Sequence, residues 1–220
     1  MTFFRWMALP AMVMWSVAAT PPMTEVWVLD RLDRIGGHPT TVEGHPKVID
    51  TPQGKAVQFN GKDDALFVAR HPLAGVGQFT WEVIFRPDAD GAPEQRFLHF
   101  QQSAPAATRL LFELRIIEGR WCLDSYAHSG TTGLALLDKT KLHSLGEWHH
   151  AATVYDGKEL RNYVDGVLEG AGPVALQPQG EGTASIGTRI NRRDYFKGAI
   201  RETRMTRRAL QPSEFLTLRK

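Results

Sequence analysis

The sequence predicts an all-β fold, an antiparallel two-sheet β-sandwich with a short C-terminal helix or turn. Three observations predict it. Short runs of β-branched, aromatic and aliphatic residues recur along the chain, Gly-containing turn signals separate them, and the stretch that breaks this rhythm lies at the end. Many short strands with this turn spacing make a sandwich the default architecture.

The first residues, MTFFRWMALPAMVMWSVAA, carry one charge at Arg5, then an uncharged run from Trp6 to Ala19 that ends in small residues. The pattern predicts a signal peptide over residues 1–19, cut after Ala18 or Ala19, and export to the periplasm or the cell exterior. The run is shorter than the roughly 20 apolar residues that cross a bilayer, and Pro10 interrupts it. Residues 20–220 fit one domain with a substantial core.

Within that domain the predicted strands are AVQF, ALFVA, FTWEVIFR, RFLHFQ, RLLFELRII, RWCLDSY, WHHAATVY, LRNYV, ASIG and GAIRETRM. FTWEVIFR sets Phe79, Trp81, Val83 and Phe85 against Thr80, Glu82, Ile84 and Arg86, so one side belongs in a core and the other need not. Glu118-Gly119, Asp156-Gly157 and Asp165-Gly166 supply the positive φ of tight hairpin turns, which makes consecutive strands mostly antiparallel. Pro and Gly place loops at 88–93 and 170–182. Near the end Ser213 is set to cap a short helix or turn whose Phe215, Leu216 and Leu218 fold back on the sandwich.

Charge and cysteine content narrow the function. The chain has 26 Lys and Arg against 24 Asp and Glu, a net +2, with the basic residues spread along it. Nucleic acid is therefore not an expected partner. Cys122 is alone, cannot form an intramolecular disulfide, and reads as a buried inert thiol. None of Asn60, Asn162 and Asn191 opens a glycosylation sequon.

Four blocks then carry a family likeness: GKAVQFNGKDDALFV from Gly54, FTWEVIFRPD from Phe79, GEWHHAATVYDGKELRNYVDGVLEG from Gly146, and ASIGTR followed by FKGAIRETRMTRRALQPSEF. In this order they resemble the laminin-G-like jelly-roll domains of the concanavalin A-like lectin/glucanase superfamily. The resemblance implies a concanavalin A-like jelly roll. It also implies a structural calcium ion held by a carboxylate of the FNGKDD-type turn and an acidic pair on the last long strand. Here those positions are Asp63, Asp64 and Glu202, and the usual acidic pair is replaced by Arg201-Glu202, which removes one carboxylate and adds a cation. Metal ligands and solvated turn charges both stay open at this stage.

The residues of the third block have structural explanations. Trp148 and Tyr155 lie an odd number of positions apart and point to opposite faces of a regular strand, as do His149 and His150. The histidines read as hydrogen-bonded structural groups, since no third ligand or orienting partner adjoins them. Asp156 and Asp165 read as turn-formers.

The function expected is an exported, noncatalytic binding module that recognises carbohydrate or a glycoconjugate. Aromatic and polar side chains in loop-like stretches supply candidate ligand residues: Tyr126, His128, Arg193 and Tyr195. The alternative is a protein-binding surface scaffold that engages an extracellular protein, because function sits on loops carried by the fold. A third reading is a polysaccharide lyase or glycoside hydrolase. The clustered carboxylates of jelly-roll glucanases, Glu-x-Asp-x-x-Glu on one strand, are absent from the sequence. FELR at 112–115 and YFKGAI at 195–200 echo two motifs of jelly-roll alginate lyases, but the Gln-x-His motif between them is missing and His99 precedes FELR. The lyase reading requires Arg115, Tyr195 and a histidine to converge in one groove.

Overall fold

A computed structural model describes residues 23–105 and 107–219. The signal peptide expected over residues 1–19 lies outside the described residues. The chain forms β1 (Thr24–Val28), β2 (Arg34–Ile35), β3 (His38–Glu43), β4 (Lys47–Thr51), β5 (Gly54–Asn60), β6 (Ala65–Val68), β7 (Phe79–Pro87), β8 (Glu94–Gln102) and β9 (Arg109–Ile117). After these come β10 (Arg120–Ser129), β11 (Thr132–Leu137), β12 (His143–Ser144), β13 (His149–Tyr155), β14 (Glu159–Val164), β15 (Val167–Pro173), β16 (Gly182–Ile186) and β17 (Lys197–Thr206). A 3₁₀ turn at Pro212–Glu214 follows.

The strands make two antiparallel sheets, as the sequence predicts. One has eight strands in the order β15-β14-β13-β7-β17-β5-β4, with β1 on β17 beside β5. The other has nine, in the order β11-β10-β9-β8-β16-β6-β3-β2, with β12 on β10 beside β11. A bulge at Arg201 interrupts the pairing of β17 with β7. It separates the part of β17 that pairs with β5 from the part that pairs with β1.

Alternation puts the large apolar side chains between the sheets. Trp81 and Phe85 of β7 meet Phe97, Phe100 and Phe112 of the opposite sheet, all at most 1% exposed. Trp81 stacks on Phe100 at 4.1 Å and Phe85 on Phe97 at 4.6 Å. Offset and edge-on aromatic packing adds to the burial of their area. The Trp81 indole N–H donates to Thr203 Oγ1 at 2.9 Å, so a polar atom enters the core with its partner. Gly36 has a positive φ of 58°, and a Cβ there would lie 2.0 Å from the Trp27 ring.

The hairpins form where the dipeptides place them, in two different ways. Glu118-Gly119 and Asp165-Gly166 put both residues at positive φ, as a type I′ turn demands. At Asp156-Gly157 only Gly157 does, and the Asp156 carboxylate accepts the N–H groups of Lys158 and Glu159 at 3.0 and 2.9 Å. Three details differ from the sequence reading. Gly170–Pro173 belongs to β15, so the connection before β16 is shorter than expected. Ser213 is exposed and caps nothing, because Glu214 accepts the Gln211 N–H at 2.9 Å. Both sides of β7 are buried apart from half-buried Arg86, where the sequence required burial of only one.

The last difference has a clear cause. The segment after β17 returns across the outer face of the eight-stranded sheet, where Leu210 and Phe215 pack on Ala152, Val154 and Tyr163. Beneath it Glu82 is fully buried and accepts from Arg204 at 2.6 Å, Leu216 N–H at 2.7 Å and His150 at 3.1 Å. Burial alone would raise this carboxyl, yet the hydrogen bonds from His150, Arg204 and Leu216 outweigh it and hold it below the usual range.

Candidate functional site

Among the described residues no segment crosses the outer face of the nine-stranded sheet over β9 and β10 as the C-terminal segment crosses the other, and over β8 the loop after β16 reaches His99. Leu110, Phe112 and Leu114 of β9 point into the core, so Arg109, Leu111, Glu113 and Arg115 point outward. On β10 the outward set includes Asp124, Tyr126 and His128. Register sets Asp124 opposite Glu113 and Tyr126 opposite Leu111. Arg96 arrives from β8 and Arg189 from the loop after β16. Together with Ala135 of β11, all of these except His128 line an open groove of about 220 Å³.

The groove holds opposed charges in close contact. Arg96 lies against Glu94, Glu113 and Asp194, and Arg115 against Glu94, Glu113 and Asp124. Arg115 Nη2 is 2.6 Å from Asp124 Oδ2 and 3.4 Å from Glu113 Oε2. Arg96 Nε is 3.0 Å from Glu113 Oε2 but is not aligned for a hydrogen bond, so proximity without donation describes the contact. Burial pushes the Glu113 carboxyl up to about 7. The pull of Arg96 and Arg115 opposes this shift and the nearby Asp124 charge adds to it. Burial also raises Asp124.

Unsatisfied polar atoms gather on this same face. His99 accepts the Ile190 N–H at Nδ1 over 3.0 Å, which places its proton on Nε2, and that buried N–H has no partner among the described residues. Burial, with the positive charge of Arg189 and Arg109, lowers the His99 imidazole to about 3. Arg109 Nε and His128 Nδ1 are likewise buried without partners. A buried polar group left unpaired costs about 1–3 kcal/mol.

Tyr126 supplies the aromatic surface of the site. The Arg109 guanidinium sits 4.9 Å from its ring centroid, and His128 lies nearly parallel to it at 6.2 Å. Gly133 of β11 makes the room. A Cβ there would approach His128 Cδ2 to 2.7 Å and the Tyr126 hydroxyl to 3.0 Å.

Of the four ligand residues expected from sequence, Tyr126 and His128 stand together on this face, while Arg193 and Tyr195 do not join them. Arg193 is an exposed turn residue whose carbonyl accepts from Thr188 Oγ1 and Arg189 N. Tyr195 is not among the groove-lining residues. Its main chain bridges to Arg96 of β8, and its phenol is raised by burial and the charges of Glu43 and Asp63 against the pull of Arg192. Arg115, Tyr195 and a histidine therefore do not converge in this groove. Arg96, Arg109, Glu113 and Arg189 are the site residues that sequence reasoning missed. The alternation in RLLFELRII held the signal for Arg109 and Glu113.

The proposed calcium ligands are occupied differently. Asp64 accepts the His45 N–H at 2.7 Å with one oxygen and the Asn60 N–H at 2.9 Å with the other, and Asp63 accepts from the Asn60 side chain at 2.7 Å. Glu202 is paired with Arg201. Among the described residues the oxygens of these three carboxylates are not gathered into one group of ligand atoms.

His143, His149 and Asp165 do bring ligand atoms within 4.8 Å of one another. All three already have protein partners: His143 pairs with Glu169 at 2.8 Å, and His149 with Asp165 at 2.8 Å and the Ser144 carbonyl at 3.0 Å. Burial alone would lower His149, and the Asp165 carboxylate outweighs it, so the imidazole titrates above its usual value. His150 faces the opposite side against Phe215 at 5.5 Å. Both histidines are hydrogen-bonded, but the expectation that no third ligand or orienting partner adjoins them fails at His149, where His143 and Asp165 stand in those places. A larger hollow of about 430 Å³ beside the C-terminal segment is lined by His150 and Asp165, both of which already have partners.

Comparisons with known proteins agree with this architecture. A family model described as the concanavalin A-like lectin/glucanases superfamily, of laminin-G-like type, matches residues 60–215. No curated protein matches the sequence. Domain 4 of AbnA, a GH43 extracellular arabinanase from Geobacillus stearothermophilus solved with arabinotriose, superposes with a TM-score of 0.64 at 20% identity, covering 86% of this chain and 94% of that one. The binding domain of Paraclostridial Mosquitocidal Protein 1 gives 0.61 at 13% identity, covering 87% of this chain and 50% of that one. The binding domain of Botulinum Neurotoxin DC, solved with SialylT, gives 0.60 at 10% identity, covering 87% and 49%. The chain thus spans about half the length of the two toxin domains, and at these identities the likeness is one of fold.

Proposed function

The chain belongs to the laminin-G-like family of the concanavalin A-like lectin/glucanases superfamily, and from that premise we propose that it is an exported, noncatalytic carbohydrate-binding module. Its saccharide lies in the groove on the outer face of the nine-stranded sheet. One observation carries this reading: the unpartnered buried polar atoms of His99, Arg109 and His128 all belong to the face that presents Tyr126. Sugars pair hydroxyl groups with fixed polar side chains and lay a ring face on an aromatic one, and both kinds of partner are present. The fold likeness to domain 4 of the arabinanase, solved with arabinotriose, supports the same reading.

Export rests on the leader pattern of residues 1–19. Calorimetric titration of the purified chain with neutral and acidic oligosaccharides tests the binding reading. The expected result is binding of at least one class without new reducing ends, weakened roughly tenfold, about 1.4 kcal/mol, by Tyr126→Ala at unchanged thermal midpoint. Absence of binding by every saccharide, or binding indifferent to Tyr126→Ala, overturns the assignment of this groove.

A further inference from the structure

The four guanidinium groups of the groove are not equivalent. Arg96 and Arg115 each face three carboxylates. Arg109 and Arg189 have no carboxylate partner within 4.0 Å among the described residues. Arg109 donates Nη1 to the Ala107 carbonyl at 3.0 Å, lies over Tyr126, and keeps a buried, unpartnered Nε. Arg189 is half-buried, with only its main chain engaged in the turn it shares with Arg192 and Arg193. Burial and the positive neighbours Arg109 and Arg96 lower its affinity for its own proton.

Two like charges held in one partly dry groove with no carboxylate in contact, only Glu113 and Asp194 acting on Arg189 from farther off, oppose folding, and an oxyanion between them removes that opposition. Arg suits this task because its planar fork donates two parallel hydrogen bonds to a carboxylate or sulfate. Glu113 and Asp124 also line the groove, but they lie against Arg96 and Arg115, which leaves the Arg109 and Arg189 end positive.

We propose that the ligand is an anionic saccharide, its carboxylate or sulfate received by Arg109 and Arg189 while its ring lies against Tyr126. This rests on the carbohydrate-binding reading and narrows it to a chemical class.

The test titrates the chain with three probes of similar length: trigalacturonate for the carboxylate, a carrageenan-derived oligosaccharide, which bears sulfate and no carboxylate, for the sulfate, and arabinotriose as the neutral sugar. One acidic probe should bind at least tenfold more tightly than the neutral one, with affinity falling as salt rises. The better acidic probe identifies which oxyanion the pair receives. Arg189→Gln should remove that preference without lowering the thermal midpoint, since the substitution relieves repulsion. Arg109→Gln should remove it as well. Equal or tighter binding of arabinotriose, sensitive to Tyr126→Ala and indifferent to Arg189→Gln, sinks the anionic class while the groove reading stands. Failure of all three probes overturns both.

Discussion

The two outer faces of the sandwich handle the same problem in opposite ways. Each places a glutamate at the centre of a sheet, Glu82 on β7 and Glu113 on β9, and each buries it beneath or beside arginine. Glu82 lies under the C-terminal segment, takes three donated hydrogen bonds and is held below the normal carboxyl range. Glu113 accepts only one long hydrogen bond, from Arg115 at 3.4 Å, beside a misaligned Arg96, and burial together with the acidic neighbour Asp124 pushes it up to about 7. Proximity of opposite charge does not by itself settle a buried carboxyl; aligned donation does. The first face is satisfied within the protein. The second keeps unmet hydrogen-bonding capacity on the face that, among the described residues, no segment crosses over β9 and β10.

The sharpest way to break this comparison is to truncate each glutamate in turn. Glu82→Ala leaves Arg204 without its buried partner and the Leu216 N–H unpaired, so it should cost on the order of 3 kcal/mol and release the C-terminal segment. Glu113→Ala should change stability by about 1 kcal/mol or less, because Arg96 retains Glu94 and Asp194. Urea midpoints measure both, and proteolysis near Leu216 reports release. Equal losses at the two positions would erase the distinction.

A pH series sharpens it further. Glu113 binds its proton more tightly when folded, at about 7 against an ordinary 4.5. Its contribution is therefore full below about 4.5 and is lost as pH rises through about 7. His99 acts in the opposite sense: its folded value near 3 lies below the ordinary 6.5, so stability is lost as pH falls below 6.5. Denaturant midpoints of the wild type and Glu113→Gln between these limits isolate the glutamate, since His99 is common to both. The wild type should lose stability relative to the variant on going from pH 5 to pH 8, and a constant difference would place Glu113 outside this account.

The smallest effect on stability is expected at Gly133→Ala. Its Cβ would crowd the outer atoms of His128 and Tyr126 most closely and the Ala127 carbonyl oxygen less, at 3.3 Å, so unfolding should shift by about 1 kcal/mol or less. The displaced Tyr126 ring should nevertheless weaken saccharide binding roughly tenfold. Calorimetry that finds affinity unchanged would remove Tyr126 from the site.

Legibility varied along the chain for physical reasons. The central strands β7, β9, β10 and β13 announce themselves because their alternating residues are large and apolar. Strands β1 to β4, over Thr24–Thr51, escaped the sequence reading: HPTTVE and KVIDT are polar, partly exposed edge segments held by pairing with β6 and β5. Strand β15 was read as a loop because Gly170, Gly172 and Pro173 are turn residues elsewhere. At the site, the sequence reading placed Tyr126 and His128 in loop-like stretches, whereas both lie on strand β10 and share a face by its period; Arg189 comes from a loop that no local pattern ties to β9.

The sequence by itself determined which side chains share a face and where the chain reverses, because strand period and turn chemistry act over a few residues. Only the tertiary structure decided which outer face is covered and which stays open. Leu216 reaches Glu82 from 134 residues away, and Arg189 lines the same groove as Arg109 although a long stretch of chain separates them. Periodicity marks two sides of a strand but says nothing of what a distant segment lays upon them, and that contact sets the burial, alignment and charge balance on which function depends.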